Sequence, residues 1–247
     1  MRRNALSLAV ALCALTLGAS AQQISGTILI KKRLTRRNVT TPVSVYQRGT
    51  TVKLGRDADE DPIAYEMSRV VVYLEGPAGT ARSAAVTPSQ IEQRDRRFQP
   101  DLVVVPAGST VTFPNMDPIF HSVFSFSKAK TFDLGSYDKG ETRKVVFSRP
   151  GIVDIYCHLH PNMSATIVVT PNRWYARVDR SGHYQIPDVP PGQYTVVAWH
   201  KAAGFFRKPI VVDVGHSGVA DFFIPIDDDS KQEMDVKSDS GEVGVSR

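Results

Sequence analysis

The chain has 247 residues, of which 30 are basic and 25 acidic, with two cysteines and six histidines. A formal net charge of +5 is too balanced for a nucleic-acid-binding surface, and beyond the N-terminus no apolar stretch approaches the ~20 residues of a membrane span. The length suits two sandwich-sized cores better than one.

Residues 1–21 open with Arg2 and Arg3, continue through an apolar run from Ala5 to Gly18 and end on Ala19-x-Ala21. This is the pattern of a secretory signal, so the mature chain is expected to start near Gln22, in the periplasm or secreted. Cys13 has no lipobox ahead of it and leaves with the signal. Cys157 then stands alone, which excludes an intramolecular disulfide; in an oxidising compartment a lone cysteine calls for burial or a metal.

The mature sequence is dominated by short runs rich in Val, Ile, Phe and Tyr, punctuated by Pro and Gly: "ISGTILI", "RVVVYLE", "DLVVVP", "STVTF", "HSVFSF", "TRKVVFS", "IVDIYC", "SATIVV", "QYTVVAW", "KPIVVDV" and "VADFFI". They predict an all-β protein of sandwich or barrel type, and no segment keeps a helical apolar period. Residues 31–68 lack sustained alternation and read as a long insertion or arm. Eight basic residues lie between Lys31 and Arg56 with no acid among them; a solvated loop is the ordinary reading, an anionic docking partner the alternative. Residues 227–247, with seven acids, three bases and no aromatic, have the composition of a disordered tail.

The chemistry is concentrated in "CHLHPNM", residues 157–163. Cys157, His160 and Met163 form C-x-x-H-x-x-M after the strand "IVDIY". Thiolate, imidazole and thioether together suit copper, and a long axial Met is typical of electron-transfer sites. A trigonal set needs a second imidazole, which His121 supplies from a different strand, closing the site across the sandwich. Zinc is the alternative metal, although structural zinc sites take more Cys or His in place of Met. A lone Met near a turn is ordinarily core filler; here it shares seven positions with the one mature cysteine. His158 follows Cys157 directly, so strand alternation turns it the other way, as a surface or supporting histidine.

The stretch from Phe98 to Thr170 resembles a cupredoxin, carried by "PAGSTVTFPNMD", "HSVFSF", "FSRPGIVDIYCHLHPNM" and "SATIVV" in the family's order. The short ligand loop is most similar to the amicyanin type. The resemblance implies one type 1 copper ion with His121, Cys157 and His160 as equatorial ligands and Met163 as the weak axial one. The family usually carries Asn after the first histidine. Ser122 stands there, so the bond that stiffens the site must come from its hydroxyl or from Asn115. Pro161 has no N–H to offer the thiolate. The family also implies electron exchange through an apolar patch around His160, here Ile119, Phe120, Leu159 and Pro161, with Tyr156 as a second route.

Further on, "RVDRSGHYQIPDVPPGQYTVVAWHKAAGF" resembles the carboxypeptidase regulatory-like (transthyretin-like) sandwich, whose first strands appear upstream as "SGTILI" and "RVVVYLEG". The expected organisation is a signal (1–21), first sandwich strands (22–86) with an insertion (31–68), a cupredoxin (87–171), the rest of the sandwich (172–226) and a tail (227–247). The order resembles bacterial secreted proteins labelled methylamine utilization or plastocyanin-like. The expected function is a non-enzymatic electron carrier with a redox protein partner; the alternatives are copper storage or delivery and a non-catalytic interaction sandwich. A multicopper oxidase is excluded by count, since its trinuclear cluster takes eight histidines beyond the blue-copper site and the chain has six: His121, His158, His160, His183, His200 and His216. Trp199, His183 and His200 read as packing residues.

Overall fold

A computed structural model describes residues 22–35, 61–76 and 89–224. The expected signal, most of the basic arm and the acidic tail lie outside the described residues. Along the chain, β1 (Ile24–Ile30) precedes a short helix α1 (Pro62–Met67) and β2 (Val70–Glu75). The middle holds β3 (Ser89–Gln90), β4 (Glu92–Arg94), β5 (Arg97–Gln99), β6 (Leu102–Pro106), β7 (Ser109–Pro114), β8 (His121–Ser127), β9 (Lys130–Tyr137), β10 (Thr142–Phe147), β11 (Gly151–Tyr156) and β12 (Ser164–Thr170). The last third holds β13 (Tyr175–Arg177), β14 (His183–Ile186), β15 (Gly192–His200), β16 (Gly204–Val212), β17 (Gly218–Val219) and β18 (Phe222–Ile224). Among the described residues the fold is all-β apart from α1, and no helix is long and apolar enough to cross a membrane.

The strand order follows a nested plan. β3 to β12 pair among themselves, as β6-β12-β11-β8-β9, as β10-β7-β3 and as the hairpin β4-β5. β1 and β2, which precede them, pair with strands that follow them. One sheet is β14-β1-β17 with β18 also on β1, and the other is β13-β2-β15-β16.

Three apolar clusters fill the layers. The outer sandwich is packed by Ile24, Ile28, Val70, Val72, Leu74, Trp174, Tyr184, Tyr194, Val196 and Ala198 among others. The inner one is packed by Val111, Phe113, Val123, Phe147, Val153, Ile155, Ile167 and Val169, with Cys157 and Met163 at its edge. A third cluster, Val71, Tyr73, Leu102, Val168, Val197 and Trp199, joins them. It explains why "VVVYL" is continuously apolar. Even-numbered Val70, Val72 and Leu74 enter the outer core while Val71 and Tyr73 enter the seam, so both faces of β2 are buried and alternation disappears. β15 divides the same way, with Val196 and Ala198 on one side and Val197 and Trp199 on the other. Polar contacts flank the seam: Arg69 to Asp101, Arg177 to the Ser68 carbonyl, and Lys201 Nζ to Asp154 Oδ1 and Thr166 Oγ1 at 3.0 and 2.8 Å.

Two glycines are required by close approach. A Cβ on Gly26 would lie 2.0 Å from the Ala220 carbonyl oxygen, and Gly182, with φ +90°, would place one 2.4 Å from that of Ile28.

The end of the expected arm is ordered and built in. Asp61 caps α1 by accepting from the Ile63 N–H at 2.9 Å, and Pro62 occupies the first turn, where its missing N–H costs nothing. Six residues are too few for a visible apolar period, so the helix is held by tertiary contacts. Glu66 is fully buried and faces His200, also fully buried, with Oε2 and Nε2 3.0 Å apart. The direction is off a hydrogen-bond line, so this is an electrostatic contact. Glu66 also accepts from the Leu34 and Thr35 N–H groups at 3.1 and 2.8 Å and from the Thr35 hydroxyl at 2.8 Å. Burial disfavours its ionisation, but the Thr35 and Leu34 donors and His200 outweigh that and hold its pKa below the ordinary value. Burial lowers the His200 pKa against the attraction of Glu66, and Nδ1 accepts from the Ala202 N–H at 3.2 Å, so the imidazole is neutral.

These shifts give stability a pH slope of one sign. A lowered folded pKa at either group means that the unfolded chain takes up the proton first, so stability falls as pH drops, from about 6.5 for His200 and from about 4.3 for Glu66. The urea midpoint is expected to decrease between pH 7 and pH 5, and His200→Gln should flatten that part of the curve. Glu66→Gln should cost about 1–3 kcal/mol by leaving buried donors poorly matched. A wild-type midpoint independent of pH over this interval would contradict a neutral His200.

Candidate metal centre

β11 alternates cleanly: Val153, Ile155 and then Cys157 turn inward while Tyr156 is exposed. β12 returns antiparallel with Ser164 opposite Tyr156, so residues 157–163 form a closed loop over the end of the inner core. The Met163 N–H donates to the His160 carbonyl at 2.9 Å, which tightens that loop and leaves Met163 buried in the same cluster as Cys157.

His121 opens β8, the neighbour of β11, with Phe124 paired to Tyr156. The two strands lie in one sheet, which corrects the expectation of a site closed across the sandwich. A shift of register between Ser122 and Phe124 against β9 breaks the alternation. His121, Ser122 and Val123 are consequently all buried in sequence, and two consecutive side chains serve one site.

Three donor atoms converge. His121 Nδ1 and His160 Nδ1 are 3.1 Å apart, Cys157 Sγ is 3.6 Å from the latter and 3.8 Å from the former. The circle through them has a radius of about 2.0 Å, which matches a metal–imidazole bond of ~2.0–2.1 Å and comes within a few tenths of a metal–thiolate bond of ~2.3 Å. The donor set and its dimensions therefore fit one transition-metal ion. Among the described residues this is the group of three or more such side chains poised for a metal. Cys157 and His121 are buried and His160 is partly exposed, so the centre meets solvent on the His160 side. Burial, His121 and Arg96 lower the His160 pKa against the pull of Asp117, which keeps the imidazole available as a base.

The surroundings of the donors sort the remaining expected residues. Ser122 touches the thiol twice, through its N–H at 3.5 Å and its hydroxyl at 3.8 Å, and the hydroxyl accepts from the His158 N–H at 2.9 Å. The Asn115 side chain makes its hydrogen bonds away from the three donors. It shapes the loop between β7 and β8 by donating to the Ile119 and Tyr137 carbonyls at 2.8 and 3.0 Å and accepting from the Asp117 N–H at 3.0 Å. His158 turns outward, stacked on Phe124 at 3.8 Å and 10°, with Nε2 3.1 Å from Asp133 Oδ2. Phe120, 56% exposed, and Ile119 precede His121, Leu159, 51% exposed, and Pro161 flank His160, all four are exposed, and so is Tyr156. His183 is exposed against Ser181, and His216 is exposed against the Val214 carbonyl.

Sequence reasoning missed Asp117. Its Oδ2 lies 2.8 Å from His121 Nε2, which fixes the proton on Nε2 and turns the Nδ1 lone pair toward Cys157 and His160. Burial raises its pKa, but the Arg96 N–H, His121 and the Asp95 N–H outweigh this and hold it below the ordinary carboxylate value. The readable signal was the Asp-x-x-x-His spacing of 117 and 121.

No protein-family model matches the chain, and no curated protein matches its sequence. Solved structures give partial similarities. A copper-containing nitrite reductase from Thermus scotoductus SA-01 is 24% identical over 38% of this chain and 25% of its own, with a TM-score of 0.33. A purple cupredoxin from Nitrosopumilus maritimus is 25% identical over 33% of this chain and 98% of its own, with a TM-score of 0.30. An amicyanin variant in the Cu(I) form is 19% identical over 39% of this chain and 98% of its own, with a TM-score of 0.32. The chain thus spans a quarter of the nitrite reductase and nearly all of the two small proteins.

Ser122→Ala isolates the hydroxyl, since the backbone N–H to Sγ survives. The variant should fold with a loss of about 1 kcal/mol, a Tm decrease of about 2–4 °C for a chain of this size. The His158 amide should exchange faster. Unchanged exchange at His158 would show that the hydroxyl does not hold the loop.

Proposed function

We propose that this protein is a mononuclear copper carrier of the cupredoxin kind that passes single electrons between redox partners outside the cytoplasm. The observation that carries the reading is the His121–Cys157–His160 triangle, sized for one ion and made of one thiolate and two imidazoles. Met163, buried beside Cys157 in the loop, is the natural fourth and weaker donor. Residues 87–171 would be the copper module, set within a regulatory-like sandwich made of 22–86 and 172–226. A signal in residues 1–21 supports the periplasmic or secreted location.

A bound copper ion would supply the one-electron Cu(I)/Cu(II) couple. The chain's own groups do the rest. Cys157 is buried and held by Ser122, His121 is held at Nε2 by Asp117, and the loop is closed by the Met163 to His160 bond. A frame restrained from several strands changes little between oxidation states, which favours fast transfer over chemistry on a substrate. His160 is the donor nearest solvent, and the exposed Phe120, Leu159, Ile119 and Pro161 offer a redox protein an apolar face through which water is excluded.

The test is to load the mature protein with Cu(II) and record the visible spectrum and a voltammogram, then repeat with Cys157→Ala. One equivalent of copper, an intense thiolate-to-copper band and a reversible one-electron wave are expected, with band and wave both lost in the variant. Tight Cu(I) binding without colour would replace the carrier by storage or delivery. Absence of copper binding would leave the interaction sandwich.

A further inference from the structure

The hairpin β4-β5 has a conformation its sequence does not favour. Arg94 pairs with Arg97, so Asp95 and Arg96 alone make the turn, and both are left-handed with φ of 54° and 56°. Such two-residue turns ordinarily take Asn and Gly, because a Cβ is crowded in that region. Here Asp117 compensates. Its Oδ1 accepts from the Asp95 N–H at 2.8 Å, and its Oδ2 accepts both the Arg96 N–H at 2.9 Å and His121 Nε2 at 2.8 Å. Asp117 is nearly buried, at 7% exposure, and its backbone N–H donates to Asn115 Oδ1 at 3.0 Å. The base of the hairpin is tied to the same loop, since the Met116 N–H donates to the Gln93 carbonyl at 2.9 Å and Gln93 bridges to Asn115.

One carboxylate thus serves a strained surface turn and a donor histidine at once. A carboxylate behind a ligating imidazole makes that imidazole a stronger donor. Its negative charge is divided among the donors it accepts, and every N–H from the turn reduces the share left for His121.

We infer that Asp117 is the positioning residue of the centre and that the β4-β5 turn sets, through Asp117, how strongly His121 donates to a metal. The turn supplies no donor atom to the centre, yet it tunes it. Releasing the turn concentrates the carboxylate charge on His121, which favours the more highly charged copper state; removing the carboxylate does the reverse and frees the turn as well. This inference rests on the reading of His121 as a metal donor.

The decisive comparison is Arg96→Pro against Arg96→Gly. Both remove the same side-chain charge. Glycine keeps the N–H and suits the left-handed turn, whereas proline lacks the N–H and cannot adopt the turn. In metal-free protein the His121 ring nitrogen shifts, read by long-range proton–nitrogen NMR, are expected to move in Arg96→Pro and stay near wild type in Arg96→Gly. In copper-loaded protein the Cu(II)/Cu(I) equilibrium should shift toward Cu(II) by about tenfold in the proline variant relative to the glycine one, a potential lower by about 59 mV for one electron. Asp117→Asn should shift it toward Cu(I), with amide exchange at Asp95 and Arg96 at least about tenfold faster, and Asp117→Glu should recover part of both. Identical ring shifts in the two Arg96 variants, or amide exchange unchanged in Asp117→Asn, would overturn the inference. If copper does not bind at all, the reading of the centre falls, while the metal-free ring shifts still decide whether the turn acts on His121.

Discussion

Everything at the centre depends on β8 and β11 being neighbours in one sheet. Phe124 beside Tyr156 fixes how far His121 sits from Cys157, and the irregularity after Ser122 lets two successive residues face inward. Once that register is set, the return of β12 opposite β11 leaves the loop little freedom in where to put His160 and Met163. The donors are therefore positioned by backbone pairing that exists whether or not an ion is bound. A site arranged in this way pays little for ordering its ligands when metal arrives.

The second constraint is burial on both faces of β2 and β15. A strand with one wet face needs only alternate apolar residues, but these two have Val, Tyr, Leu, Ala and Trp on both sides because the inner and outer sandwiches share the seam. Val168 on β12 and Leu102 on β6 supply the other half of that seam. The same strand β12 also gives Ala165, Ile167 and Val169 to the core beneath the donors. Packing at the seam and packing under the centre are thus two sides of one strand.

Much of this was readable from the chain. The strands were, because Val, Ile and Phe runs bounded by Pro and Gly leave few other readings, and so was the meeting of Cys157 with His160, because the two share one short loop. The sheet that holds His121 was not, since separation along the sequence does not say whether two strands are laterally paired or stacked face to face. β9 escaped notice because only Phe132, Leu134 and Tyr137 turn to the core, while the exposed Thr131, Asp133, Gly135 and Ser136 between them carry no strand signal. α1 escaped because it is short and its key residue is a charge: Glu66 is a typical surface type, and only the donors of Leu34 and Thr35 and the facing His200 make it an interior one. Asp117 was overlooked for a related reason, being one acid in a polar loop until the fold sets it against His121 and the turn.

The nested strand order also has a temporal side. On a growing chain β1 emerges before the other described strands, yet its partners β14, β17 and β18 all lie in the last third, and the Thr27 N–H waits for the side chain of Asp221. The strands from β3 to β12 are complete and mutually paired well before that. Synthesis therefore favours an order in which the donor-bearing core closes first and the outer sandwich is then drawn shut around it by its C-terminal strands. The earliest of these strands is among the last to find its neighbours, and until then its exposed edges must be kept from pairing with other chains.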